Sequence, residues 1–332
     1  MKAMTIHRNG GPEVLIAQDV QLPPPGPGQV RLRHTAIALN FSDINVRRGG
    51  FYIAKPLVFP VILGNEAAGI VVSTGPGVAD YTPDMRVGYV GVGGPFYENT
   101  GAYCEERNVP ASCLVRLPDG ISDAQAAAVM LKGLTAACMI NRIWRPKAGD
   151  PVLIHAAASG VGILLSQWLS HLGAQVLGTV GSEQKAEFVK QNGCAHPILY
   201  RQSDFVSEVK KIVPQGVAAV FDGVGKDTFI ASLDCVRPFG MLINYGNATG
   251  HVPPLDLLLL AKKGSLSVSR PAFSSYIADP QEMRQNFAEL FNLLISGVLK
   301  VEVSQTYRLQ DVARAHQDLE SRAFVGSAVI IP

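Results

Sequence analysis

From Pro151 onward the chain alternates short, wholly apolar runs with longer amphipathic ones, and no other feature limits the fold as tightly. Residues 151–156, 175–180, 198–200, 217–221 and 241–245 read as strands. Residues 161–172, 182–191, 203–213 and 226–235 read as the helices between them. Strands apolar on both faces, separated by helices, predict a doubly wound α/β fold with a covered parallel sheet.

The first 120 residues have a different texture. Short β-rich runs, among them 30–38 and 68–73, are punctuated by the Pro-Gly cluster at 23–28, Gly49-Gly50, Gly75-Pro76-Gly77 and Pro118-Asp119-Gly120. A helix capped by Ser122 or Asp123 is expected through Met130. Residues 302–332 return to strand-like pieces around one helix at 309–322, so the two chain ends are expected to share a domain. The expected division is 1–126 with 271–332 against 127–270, and 332 residues suit two domains.

Composition removes several function classes. At 47% hydrophobic and 17% charged residues the chain can build a large core, which excludes intrinsic disorder. Its 29 basic and 27 acidic residues leave a net charge of +2, and the basic ones are scattered, so nucleic acid is an unlikely main partner and no anionic membrane is implied. The five cysteines are odd in number and contain no C-x-x-C pair, which fits a reducing compartment. With no signal-peptide run at the N-terminus and no apolar run near the ~20 residues of a membrane span, a soluble cytoplasmic protein is expected.

The chemistry begins at Ile154-His155-Ala156-Ala157-Ala158-Ser159-Gly160-Val161-Gly162, where a strand runs into small residues at the mouth of a helix. Exposed N–H groups and the positive end of a helix dipole attract a pyrophosphate there, and missing side chains let it approach. The G-x-G-x-x-G fingerprint fails at Leu165, which leaves an A-x-x-G-x-G variant. A bland strand-to-helix turn can share this composition; its place inside the alternation favours the dinucleotide. The next strand ends Gly178-Thr179-Val180-Gly181-Ser182 without the acid that an NAD site uses on the ribose, and Lys185 follows one turn into the next helix. A hydroxyl and an ammonium suit a 2′-phosphate, so NADPH is the expected cofactor. The competing reading makes Lys185 a solvated lysine and gives the ribose to Glu183.

These segments, with Gln167-Trp168, Leu172-Gly173-Ala174 and Gln184-Lys185-Ala186, strongly resemble the quinone oxidoreductase and zeta-crystallin branch of the medium-chain dehydrogenase/reductase superfamily. Further likeness lies in Asn40-Phe41-Ser42-Asp43, Gly64-Asn65-Glu66-Ala67-Ala68-Gly69, Leu131-Lys132-Gly133-Leu134-Thr135, Tyr245-Gly246-Asn247, Ser269-Arg270-Pro271 and Glu320-Ser321-Arg322. The resemblance implies a GroES-like β domain, a Rossmann domain, a homodimer and NADPH held between the domains. It also implies roles: Ser159, Gly160, Val161 and Gly162 at the pyrophosphate, and Ser182, Lys185 and Tyr200 around the 2′-phosphate. Asn40, Lys132, Thr135, Gly246 and Arg322 would face the rest of the cofactor. Tyr200 is equally readable as half-buried packing at a strand end.

Zinc enzymes of the superfamily would need Cys or His at position 40 and His at 65, and both are Asn here. Cys104 stands alone where a four-cysteine lobe would lie, so no metal is expected. The seven histidines show no i, i+4 pair and read as packing or surface residues. What remains is direct hydride transfer to an acceptor that needs little electrophilic help, a quinone first and an activated enone (alkenal/one) second. Asn40 and Tyr52 are the expected hydrogen-bond donors to substrate, with Asp43 holding the Asn40 turn. Outside enzymology, a crystallin-like NADPH- or RNA-binding protein is the alternative. The chain departs from the branch at Asn45, where relatives often carry Tyr, and in a longer 88–103 segment.

Overall fold

Alternation of buried and exposed positions along Gln29–Ala38, with Val30, Leu32, His34 and Ala36 inward, marks a sheet with one covered face. The computed structural model describes residues 1–50, 56–92, 99–322 and 324–332. These divide into two compact units, one of residues 1–134, 273–295 and 301–332, the other of residues 135–272 and 296–300.

The first unit begins with β1 (Lys2–Ile6), β2 (Ile16–Asp19), β3 (Gln29–Ala38) and α1 (Phe41–Arg47). It continues through β4 (Val61–Ile62), β5 (Glu66–Thr74), β6 (Arg86–Val90), β7 (Glu106–Pro110), β8 (Leu114–Arg116) and α2 (Asp123–Cys138), whose residues from Thr135 on belong to the second unit. The expected end of α2 at Met130 is overrun by eight residues, and a π-turn carries it on through Met139–Ile143. Gly133, inside this helix, is a packing notch: a Cβ there would lie 2.5 Å from Leu290 Cδ1. The resulting 21-residue stretch Asp123–Ile143 has the length and composition of a membrane span, yet 72% of its apolar window is buried inside the protein, as in a core helix.

The second unit runs β9 (Pro151–Ile154), α3 (Gly160–His171), β10 (Gln175–Val180), α4 (Glu183–Gln191), β11 (His196–Leu199), α5 (Phe205–Ile212), β12 (Val217–Asp222), α6 (Phe229–Ser232), β13 (Val236–Asn244), α7 (Leu257–Lys262) and β14 (Ser267–Ser269). All its strands are parallel, in the order β11-β10-β9-β12-β13-β14. This is the dinucleotide-fold order, with its switch point between β9 and β12. Every residue of β12 is buried, as a sheet covered on both faces requires. The helix expected at 226–235 shrinks to four residues. Asp222 Oδ1 accepts from Val224 N–H, Gly225 N–H and Thr228 Oγ1 at 2.8, 3.1 and 2.9 Å, which holds residues 223–228 as a loop.

The chain then returns through α8 (Phe273–Tyr276), α9 (Pro280–Ile295), β15 (Val303–Arg308), α10 (Val312–Glu320) and β16 (Ser327–Ile331). β16 pairs antiparallel with β3, so the last strand completes the sheet begun near the first.

Candidate active site

In the second unit, β9 ends at Ile154, and past His155 the φ of Ala156, 52°, turns the chain toward α3. His155 is a buried clamp, its ring nitrogens 3.1 Å from Thr179 Oγ1 and 2.8 Å from Ser232 Oγ; burial lowers its pKa to about 4. Ser159 caps α3, its Oγ accepting the Gly162 N–H at 3.1 Å. Helix geometry leaves the N–H groups of Gly160 and Val161 without intrahelical partners. Gly162 is required: a Cβ there would stand 2.5 Å from Ala156 O and 2.8 Å from Ala157 O. The expected pyrophosphate residues are therefore assembled in one turn, and they fit a dinucleotide.

At the end of β10, Ser182 caps α4, its Oγ accepting the Lys185 N–H at 3.3 Å. Tyr200 follows β11 directly and is 39% exposed, with its hydroxyl 3.2 Å from where a Gly181 Cβ would be. Arg201 Nε lies 3.5 Å from that same point, so a second cation, missed in the sequence, flanks the strand tip. Its signal was the parallel β10–β11 register, which pairs Val180 with Leu199 and carries residues 200 and 201 past the tip. Gly246 sits in a turn packed on Gly223, whose oxygen would be 2.5 Å from a Cβ. Arg270, also passed over, holds that turn by donating to Asn244 O at 3.0 Å and Gly246 O at 3.2 Å.

The first unit carries a buried polar cluster. The Asn40 N–H donates to Asp43 Oδ2 at 3.1 Å, closing the start of α1, while Asn40 Nδ2 donates to Glu66 Oε1 at 2.6 Å. Asn65 Nδ2 donates to Asp43 Oδ1 at 2.8 Å, and the Leu131 N–H to Glu66 Oε2 at 2.7 Å. Burial pushes Asp43 up to about 6 and Glu66 up to about 7, and it lowers the Lys132 ammonium, which the two carboxyls counteract. A directed chain enters from the other side. Arg47 can only donate, so its Nη1 contact with His316 Nδ1 at 2.9 Å fixes the proton of this neutral imidazole on Nε2. Burial holds His316 at about 3. Nε2 lies 3.0 Å from the Tyr103 hydroxyl, which donates to Asp43 Oδ2 at 3.1 Å.

Asn40 and Asp43 thus share one cluster with Asn65 and with Glu66, to which the sequence assigned no role, and the Lys132 ammonium lies 3.5 Å from Leu39 O, next to Asn40 in the chain. Asp43 has no exposed surface and acts by holding Asn40 and Asn65. Thr135 is half-buried three residues beyond Lys132 on α2. Arg322 lies exposed just past α10 with a φ of 59°. Asn45 is half-buried within α1. Tyr52 and residues 93–98 of the 88–103 segment lie outside the described residues.

Zinc does not fit this cluster. The carboxylates need donors, so the amide nitrogens of Asn40 and Asn65 face Glu66 and Asp43, and an N–H cannot ligate a metal. The Cys104 thiol has Gly101 O and Glu106 O, at 3.2 and 3.0 Å, as the acceptors for its one hydrogen, and burial pushes its pKa up to about 12. Purified, tag-free protein is expected to carry zinc far below one atom per chain by elemental analysis, with activity unchanged on chelation. Stoichiometric zinc whose removal abolishes activity would contradict this.

The zinc-binding dehydrogenase family matches residues 160–292, and the alcohol dehydrogenase GroES-like domain matches residues 26–119. A 2-haloacrylate reductase from Burkholderia sp is 41% identical over 337 residues, covering 99% of this chain and 98% of the relative. Quinone oxidoreductase 1 of Escherichia coli K12 is 40% identical over 329 residues, 98% of each chain. The crystal structure of Escherichia coli quinone oxidoreductase complexed with NADPH superposes with a TM-score of 0.94 at 40% identity over 100% of both chains.

Proposed function

We propose, from the premise that this chain belongs to the quinone oxidoreductase branch of the medium-chain dehydrogenase/reductase superfamily, that it reduces small quinones with NADPH. The observation that carries the reading is the pair of features at the parallel strands' carboxyl ends: the Gly162 cradle, and a β10 tip with cations in place of an acid.

NADPH supplies the hydride when bound. The chain's part is to hold and orient. The α3 N-terminus and Gly162 accommodate a pyrophosphate, and Ser182, Lys185 and Arg201 take a 2′-phosphate. Asn40, with one amide hydrogen committed to Glu66, has a fixed orientation and a second amide hydrogen for a substrate or ribose oxygen. A quinone accepts hydride without a Lewis acid, which suits a site whose cation is an ammonium.

A second reading keeps the cofactor and changes the acceptor to an activated alkene, supported by the 41% identity to a 2-haloacrylate reductase. Steady-state NADPH oxidation with para-quinones, ortho-quinones, enones and 2-haloacrylate decides between them. Quinones are expected to give the highest kcat/KM, and turnover confined to the alkenes would replace the first reading with the second. A homodimer is also proposed, because β14 is an edge strand and the same unit exposes the apolar side chains of Phe239, Leu257 and Leu258, at 84%, 74% and 56% exposure. Sedimentation at a single-chain mass would rule it out.

A further inference from the structure

His155 lies where β9 meets β12, its N–H donating to Phe221 O at 2.9 Å, and its side chain is buried. The hydrogen bonds around the ring run in one direction. Thr228 O can only accept, so the single hydroxyl hydrogen of Ser232 goes to it, at 2.7 Å. Ser232 Oγ, 2.8 Å from His155 Nε2, must then accept, which puts the ring proton on Nε2. Burial keeps the imidazole neutral, so Nδ1 accepts the Thr179 hydroxyl hydrogen across 3.1 Å. Thr179 Oγ1 in turn accepts the Ala156 N–H at 3.2 Å, at the positive-φ residue that turns the chain into α3. At the other end Thr228 Oγ1 donates to Asp222 Oδ1 at 2.9 Å, and the Asp222 carbonyl accepts the Tyr245 N–H at 2.9 Å.

This series of bonds starts at the turn that opens the α3 cradle and ends at the loops that follow β12 and β13, on opposite sides of the switch point. A dinucleotide lies across such a point, with one half on each side. We propose that His155 is a positioning residue that locks the two sides of the dinucleotide site into one register, so that a single NADPH engages both. The inference rests on the reading that NADPH occupies the strands' carboxyl ends, and it stands whichever acceptor the enzyme uses. A histidine that only fills space predicts a loss that weakens every ligand alike, or none. A coupling histidine predicts a loss confined to ligands that span both sides.

The test is calorimetric titration of the full chain with NADPH and with adenosine 2′,5′-bisphosphate, which carries only the adenosine half. His155→Phe keeps a ring against Phe205, whose centroid lies 4.9 Å from that of the imidazole, and removes both ring hydrogen bonds. It is expected to weaken NADPH about 10-fold, within the usual range of coupling between sites, and adenosine 2′,5′-bisphosphate less than about 2-fold. Ser232→Ala cuts the series on the side away from the cradle and is expected to give the same split, about 5-fold against NADPH. If His155→Phe yields no folded protein, Ser232→Ala decides. Equal losses for the two ligands, or unchanged NADPH binding in a folded variant, would overturn the proposal. Wild-type protein that binds neither ligand would overturn the cofactor reading itself, and the proposal with it.

Discussion

Replacing Arg47 with leucine is expected to cost about 3–5 kcal/mol of stability, the range for breaking a buried, hydrogen-bonded charge. Its side chain has no exposed surface and ties three separate parts of the first unit together. Nη2 pairs with Glu320 at the end of α10, Nη1 donates to His316 at 2.9 Å, and Nε donates to Gly10 O at 3.2 Å. Leucine fills part of the volume and satisfies none of these acceptors. Glu320 suffers least, because it is 18% exposed and keeps Arg48 at 3.1 Å. His316 suffers most: its Nδ1 loses its donor inside the core, and the proton order that runs through Tyr103 to Asp43 is no longer imposed. Chemical denaturation of the variant checks this, and a loss below about 1 kcal/mol would show that the network is dispensable.

Lys185→Ala is expected to weaken NADPH binding roughly 10- to 100-fold, the worth of one partly exposed charge-assisted hydrogen bond of about 1.5–3 kcal/mol. NADH should be nearly unaffected. Ser182 Oγ accepts the Lys185 N–H, and toward a phosphate, itself an acceptor, it can offer only its neutral hydroxyl hydrogen, so the fixed charge must come from elsewhere. Lys185 lies one turn along the same helix, and the dipole of α4 points the same way. Arg201, beside Gly181, should retain part of the discrimination, placing the loss toward the lower end of the range. Added salt should shrink the difference between wild type and variant. Calorimetric titration with both cofactors measures it; equal losses for NADPH and NADH would show that the phosphate is not read at this strand tip.

Much of this was legible because the second unit obeys local rules. Apolar runs became β9, β10 and β12, and small residues at a strand end became the α3 cradle. Legibility failed where a long-range contact decided the local shape. The helix expected at 226–235 lost its first turn to Asp222, a strand-end carboxylate that binds the following loop. α2 ran past Gly133 because Leu290, 157 positions away, occupies the notch. Asn40 was read as a free donor, yet its amide is anchored by Glu66, 26 residues on. The Arg47–His316–Tyr103 chain joins residues up to 269 apart in sequence, and no local pattern announces it.

Hydride is expected to pass from NADPH to a quinone without the help of a metal ion. Rapid mixing of the NADPH-saturated protein with one equivalent of a small para-quinone, in the presence of a metal chelator, tests this directly through the nicotinamide absorbance. The expected result is loss of one NADPH per quinone consumed, at a rate the chelator does not change. NADPH that binds but persists unoxidised with every quinone, or oxidation that stops when metal is withdrawn, would contradict it.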